Sequence, residues 1–158
     1  NMKEPENINV GHVICFIYLY FAHVSDGDIS KEEEDVIFLK LKTWMGGSTD
    51  YTFEVFKEAY EWYASGVYEE NTAHVKYYSK NLKEMGGLSD EQISIICAEL
   101  MEIANADGNI SEEEMGLAIE ISKDLGEYEL SLSIIRMGEV FYEAVLSFEK
   151  PSRGIING

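Results

Sequence analysis

Apolar residues recur at helical spacing along most of the chain, and the prolines are confined to Pro5 and Pro151. Because proline is the strongest helix breaker, the interval between these two positions is free to form helices. Glycines mark the places where helices are expected to end. They are Gly27, Gly46, Gly47, Gly66, Gly86, Gly87, Gly108 and Gly126. The pattern predicts an all-α fold of about seven helices.

The predicted helices differ in how much of their surface is apolar. The first, residues 10–24, is apolar nearly all round, which indicates a buried and central position. The fifth follows Ser89, which forms a capping box with Gln92, and its apolar stripe predicts a second central helix. That stripe consists of Ile93, Ile96, Cys97, Leu100 and Ala104, and the helix is predicted to end near residue 106. Single apolar faces are predicted for helices at residues 31–45, 70–85, 112–125 and 129–148, and for a third helix around Phe56 and Tyr63.

The length and composition are typical of one domain. A chain of 158 residues with 46% apolar content can bury one substantial core. We expect the domain to cover residues 10–148. The flanking stretches 1–9 and 149–158 are predicted to be tails, the second of them frayed, and Asn1 before Met2 is interpreted as an expression remnant.

The charge is strongly acidic, with thirty Asp and Glu against twelve Lys and Arg and a formal net charge of -18. Such a field repels phosphate backbones and anionic membrane surfaces, which argues against a nucleic-acid partner. It favours cations, basic peptides and basic protein faces, although an acidic surface kept for solubility is the commoner explanation.

Two further features indicate a cytoplasmic protein. No basic and apolar leader is recognised, and the most apolar stretch, residues 13–22, is too short for the ~20 residues of a membrane span.

Cys15 and Cys97 both lie inside apolar runs, without the spacing of a metal site or a disulfide scaffold. They are predicted to be buried thiols.

An internal repeat is the most informative feature of the sequence. Residues 26–33 (DGDISKEE) match residues 107–114 (DGNISEEE) at an offset of 81, with six of eight positions identical. Each copy follows an apolar helix and precedes an amphipathic one, which predicts two half-domains related by a pseudo-twofold axis.

The two runs that contain this repeat, residues 22–33 (AHVSDGDISKEE) and 103–114 (IANADGNISEEE), resemble the TerB-like (tellurite-resistance) family, which includes the N-terminal domain of DjlA-type co-chaperones. The resemblance spans residues 10–148 and implies an all-helical fold and a link to stress response. It also implies a cation site formed by the acidic residues of the two motifs. His23 has no counterpart histidine in the second copy, where Ala104 stands.

Each repeated segment has a structural interpretation and a functional one. Structurally, Ser30 with Glu33 and Ser111 with Glu114 are capping boxes, and each aspartate can hydrogen-bond to the backbone of its own turn. Functionally, clustered carboxylates repel one another until a cation neutralises them, and calcium suits oxygen ligands best. The candidate ligands are Asp26, Asp28, Glu33, Asp107, Asn109 and Glu114.

An EF-hand is rejected as the fold, because the segments match only the second half of its calcium loop. The first and third loop positions hold Ala22 and Val24 in one copy, and Ile103 and Asn105 in the other. Any remaining calcium affinity is expected to be weak, with a Kd of about 10⁻⁴ to 10⁻³ M.

The other chemistry-bearing residues give no catalytic pattern. His12, His23 and His74 lack metal-binding spacing, although His23 lies one turn before Asp26 and could join a cation site.

The sequence therefore predicts a non-enzymatic module that binds a partner protein or a second copy of itself. A metal-dependent enzyme or metal carrier using the same carboxylates is the alternative. Residues 51–78 are rich in Tyr, Trp and Phe, which predicts either core packing or an interaction surface.

Overall fold

The computed structural model describes residues 3–127, together with every side chain in that range except that of Asp26. Six α-helices and no strand occur within this range. The helices are α1 (Val10–Asp26), α2 (Lys31–Trp44), α3 (Thr49–Ser65), α4 (Tyr68–Gly86), α5 (Asp90–Ala104) and α6 (Glu112–Asp124). The all-α prediction is thus confirmed for this part of the chain. The predicted helix at 129–148 and the tail at 149–158 lie outside it.

Most helix ends fall within two residues of their predicted positions, because local hydrogen bonds fix them. The hydroxyls of Ser30, Ser89 and Ser111 each accept the backbone N–H three residues later, so α2, α5 and α6 begin where the capping boxes predict. Gly27 and Gly87, which follow α1 and α4, adopt the left-handed conformation at φ 80° and 61°.

α1 is the centre of the fold, as its all-round apolar surface predicts. Every residue from Val13 to Ala22 is buried. The other five described helices all pack against α1. Each large side chain buried here, such as Phe16 or Leu19, stabilises the fold by about 1.5–3 kcal/mol relative to an exposed position.

α5 is the second strongly buried helix, and its predicted stripe lies entirely in the core. It packs against α1, α2 and α6. Both cysteines are buried free thiols, as predicted, with Cys15 on α1 and Cys97 on α5.

The stretch before α1 is attached to the domain. The backbone N–H of Lys3 donates to Ser65 Oγ at 2.7 Å, and the Tyr78 hydroxyl donates to Glu4 Oε1 at 3.3 Å. Within residues 3–127, no helix has the combined length and apolar character that crossing a bilayer requires.

Candidate functional site

The two repeated segments fold as similar helix–turn–helix corners, here called turn A (residues 26–30) and turn B (residues 107–111). Gly27 and Gly108 both adopt the left-handed conformation, with φ of 80° and 86°. Ile29 and Ile110 are partly buried against the core, and Ser30 and Ser111 cap the following helices.

The two turns differ in how the preceding helix ends. In turn A the N–H of Gly27 donates to the carbonyl of His23, which is a helical bond four residues apart. Before turn B, α5 ends at Ala104, and the N–H of Gly108 donates to the carbonyl of Asn105, only three residues back. The prediction of a helix to residue 106 was therefore wrong by two residues, because a tighter turn replaces the last helical bonds.

Glu33 and Glu114, two of the predicted ligands, act as helix caps. Glu33 Oε1 accepts the N–H of Ser30 at 2.8 Å, and Glu114 Oε1 accepts the N–H of Ser111 at 2.9 Å. Both side chains are about 2% exposed. The capping-box interpretation is confirmed, and one oxygen of each carboxylate is engaged in it.

Three of the other predicted ligands, Asp28, Asp107 and Asn109, are exposed in the turns. Asp28 Oδ1 accepts the N–H of Ile29 at 2.8 Å, and Asp107 Oδ1 accepts the N–H of Asn109 at 3.0 Å. The Asp107 bond is the local side-chain turn expected of aspartate, which accepts the N–H two residues later, whereas Asp28 bonds to the adjacent residue. The side chain of Asp26 is not described. Among the described side chains, no three His, Cys, Asp or Glu form a group that could hold a metal.

The relative direction of two helices relates turn A to turn B. Trp44 Nε1 donates to Glu99 Oε1 at 2.7 Å, and Lys40 forms an ion pair with Glu102. The earlier residue of α2 thus contacts the later residue of α5, which means that the two helices run antiparallel. Both turns lie on the same side of the Lys40–Glu102 pair, but the start of α2 is about 13 Å of helix away from Lys40.

His23 is directed to an aromatic partner. Its Nδ1 lies 2.5 Å from the Tyr63 hydroxyl of α3, and the two rings meet edge to face. Burial raises the pKa of Tyr63, which keeps its hydroxyl protonated. His12 instead caps α1, accepting the N–H of Asn9 at Nδ1, while its Nε2 lies 3.2 Å from Glu58.

The aromatic-rich segment divides between core and surface. Trp62, Tyr63 and Tyr78 are buried, which accounts for part of the predicted core packing. Phe53 is 61% exposed, and Tyr68 and Tyr77 are exposed as well. Core packing therefore holds for the buried rings, whereas an interaction surface formed by the exposed rings stays a prediction.

The aromatic stripe of the α2–α3 hairpin consists of the successive ring contacts Phe38–Phe56 and Phe56–Tyr60, together with Phe53. The centroids of Phe38 and Phe56 are 5.8 Å apart at an interplanar angle of 70°, and those of Phe56 and Tyr60 are 5.9 Å apart. These spacings are typical of favourable ring pairs. Phe53 lies one helical turn before Phe56 on the same side of α3.

Acidic groups lie at the Tyr60 end of the stripe. Burial, followed by the nearby carboxylates of Glu34 and Asp28, raises the pKa of Tyr60. Asp28 belongs to turn A and Glu34 to the first turns of α2.

A buried polar network that the sequence analysis did not identify joins three helices. Glu99, only 7% exposed, accepts hydrogen bonds at Oε1 from the Tyr18 hydroxyl and from Trp44 Nε1. A glutamate among the apolar residues of a central helix is itself a signal of such a network, since buried carboxylates require partners.

Comparison of the chain with protein-family models, with curated proteins and with solved structures gives no match.

Proposed function

We propose that this chain is a non-enzymatic protein-interaction module that docks a partner protein on the aromatic stripe of the α2–α3 hairpin. The observation that carries the proposal is a row of three packed rings, Phe38, Phe56 and Tyr60, one helical turn from Phe53, which is 61% exposed. Aromatic side chains on a surface are the usual anchors of protein interfaces.

The proposal includes a cytoplasmic location and the internally duplicated TerB-like architecture. Supporting the duplication, Glu33, Ile37 and Leu41 of α2 are buried, as are Glu114, Ala118 and Ser122, which lie 81 residues later on α6. The stress-related role rests on the TerB-like resemblance alone.

The test is photo-crosslinking in an extract of the source cells. A photoreactive phenylalanine analogue at position 53 is expected to give a discrete protein adduct. The same analogue at position 77, where Tyr77 is similarly exposed, is the matched control and should give none. Excess unlabelled protein should remove the adduct, whereas excess Phe53→Ser protein should not. Equal adducts at both positions, or none, would refute the proposal.

The same reagent distinguishes a foreign partner from a second copy of the chain. If purified protein alone gives an adduct of twice the chain mass, the stripe is a homodimer interface. If the adduct requires the extract, the partner is a different protein. The result can be checked by sedimentation of the purified protein.

A weak divalent-cation site at the paired turns is a second candidate function. Its support is that turns A and B lie on the same side of the Lys40–Glu102 pair and that both expose acidic side chains. Magnesium, manganese and zinc are to be compared with calcium, as described in the Discussion.

A further inference from the structure

Turn B places an open backbone nitrogen beside an exposed carboxyl group. Asp107 is followed directly by Gly108, and both residues are exposed. Glycine has no side chain to shield its backbone nitrogen, and a methyl group at Gly108 would meet no atom within 4 Å. The Gly108 nitrogen is therefore free of steric protection, and water has access to both residues.

The Asp107 side chain is bent forward along the chain. Its Oδ1 accepts the N–H of Asn109 at 3.0 Å, so the carboxyl group lies toward the peptide unit that links Asp107 to Gly108. This peptide unit lies between two helices, since α5 ends at Ala104 and α6 begins at Glu112. An exposed turn opens at a lower free-energy cost than a packed helix does.

The same dipeptide in turn A has a different backbone. Asp26 is the last residue of α1, and the N–H of Gly27 donates to the carbonyl of His23 at 2.7 Å, four residues back. The N–H of Gly108 instead donates to the carbonyl of Asn105 at 3.0 Å, three residues back. An α-helix directs its Cα–Cβ bonds toward its N-terminus, away from the nitrogen that follows. Reaction of a helical aspartate with the next nitrogen therefore requires the helix end to unwind first.

We propose that Asp107 is a site of spontaneous backbone modification, at which aspartate converts to isoaspartate, and that the native fold favours this reaction there over Asp26. In the first step the Gly108 nitrogen bonds to Cγ of the protonated Asp107 carboxyl group. The bond from Cγ to the OH group breaks, and this OH leaves as water together with the amide hydrogen. The product is a cyclic succinimide.

Water then opens the succinimide at either of its carbonyl carbons. Cleavage of the bond between the nitrogen and Cγ restores aspartate. Cleavage of the bond between the nitrogen and the main-chain carbonyl carbon gives isoaspartate, in which the main chain runs through Cβ and Cγ. One water leaves and one water enters, so the reaction needs no oxidant, reductant or enzyme.

Isoaspartate at residue 107 would change the geometry of turn B. The main chain gains a carbon atom before Gly108, and the Asn109 N–H loses the side-chain oxygen that accepts it. Ile110, which packs against the core, and Ser111, which caps α6, follow directly. We therefore expect the modification to loosen the start of α6. This reaction does not depend on the docking of a partner at the aromatic stripe.

The experiment ages the purified full chain under native conditions and, in parallel, unfolded in urea. Isoaspartate at residues 26 and 107 is quantified in peptide digests by mass spectrometry with electron-transfer fragmentation, which distinguishes it from aspartate. In urea we expect similar rates at the two positions, because both are Asp-Gly pairs. In the native protein we expect residue 107 to convert about two- to tenfold faster than residue 26, the effect of a backbone hydrogen bond that must open at the end of α1.

Two glutamate variants serve as matched controls. Asp107→Glu retains the charge, but the longer side chain would have to close a larger and less favourable ring, so no modification should appear at residue 107. Asp26→Glu makes the same change in turn A and should leave conversion at residue 107 unchanged. Equal rates at the two positions of the native protein, or a faster rate at residue 26, would overturn the inference. The absence of isoaspartate at residue 107 while the urea-unfolded chain converts would overturn it as well.

Discussion

The Tyr18 hydroxyl donates a hydrogen bond of 2.6 Å to Glu99 Oε1, joining two residues that are 81 positions apart. This separation equals the offset of the sequence repeat. Tyr18 and Glu99 therefore occupy corresponding positions of α1 and α5, and they touch each other where these helices meet. Contact between corresponding positions is the arrangement expected at a pseudo-twofold axis, so this pair is where the proposed symmetry can be examined most directly.

Removing the Tyr18 hydroxyl should destabilise the protein. Tyr18→Phe keeps the buried ring but leaves Glu99 with one fewer donor, in a place that water reaches poorly. We expect the free energy of unfolding in urea to fall by about 1–3 kcal/mol. Tyr77→Phe, at an exposed position, is the control and should stay within about 0.5 kcal/mol of wild type. A loss no larger than the control's would mean that the hydrogen bond contributes nothing net.

Local signals explain why the helices could be predicted and the network could not. Ser30, Ser89 and Ser111 satisfy backbone donors within three residues, so the sequence alone locates the starts of α2, α5 and α6. The Glu99 network depends on side chains from α1, α2 and α5, and on where these helices cross. No periodicity within one helix contains that information.

The candidate site was predictable to a similar extent. The hydrogen bond from Asn109 to Asp107 is local, and the sequence analysis allowed for it. The exposure of Phe53 beside the burial of Trp62 depends on which side of α3 faces α1 and α2. An excess of aromatic residues predicts that some rings are buried in the core and others form a surface. Only the packing of α3 shows which rings are buried and which are exposed.

Two glycines should respond to alanine in opposite directions. A methyl group at Gly108 would meet no atom within 4 Å, but the residue has a φ of 86°, so Gly108→Ala should cost about 1–2 kcal/mol in backbone strain. Gly116 lies inside α6 with equally open surroundings, and Gly116→Ala should raise the free energy of unfolding by about 0.5–1 kcal/mol. Urea unfolding measures both. Stabilisation by both variants would contradict the left-handed conformation of turn B.

The Cys97 thiol should make stability fall at alkaline pH. Burial raises its pKa from an ordinary value of 9.0 to about 11. The unfolded chain therefore releases this proton at a lower pH than the folded chain does. Its contribution to stability is fully present below pH 9 and is lost as the pH rises toward 11, at up to about 1.4 kcal/mol per pH unit.

Comparison with Cys97→Ala isolates this contribution, because the buried tyrosines and Cys15 titrate in both proteins. Under reducing conditions, wild type should lose up to about 1 kcal/mol more than Cys97→Ala between pH 9 and pH 10. Parallel pH profiles for the two proteins would show that the thiol ionises equally well in the folded and unfolded states.

Calcium should stabilise the protein weakly if turns A and B form a cation site. With a Kd near 1 mM, in the expected weak range, 10 mM calcium would add about 1.4 kcal/mol to the free energy of unfolding. Thermal melting at constant ionic strength measures the shift, with magnesium, manganese and zinc compared in parallel. The double variant Asp26→Asn/Asp107→Asn should abolish the shift.

Glu33→Gln separates the two roles of that side chain, since the amide oxygen can still cap α2 while the charge is gone. Retained stability with reduced calcium response would assign Glu33 to the cation as well as to the cap, whereas no response of wild type to any of the four metals at millimolar concentration would end the hypothesis.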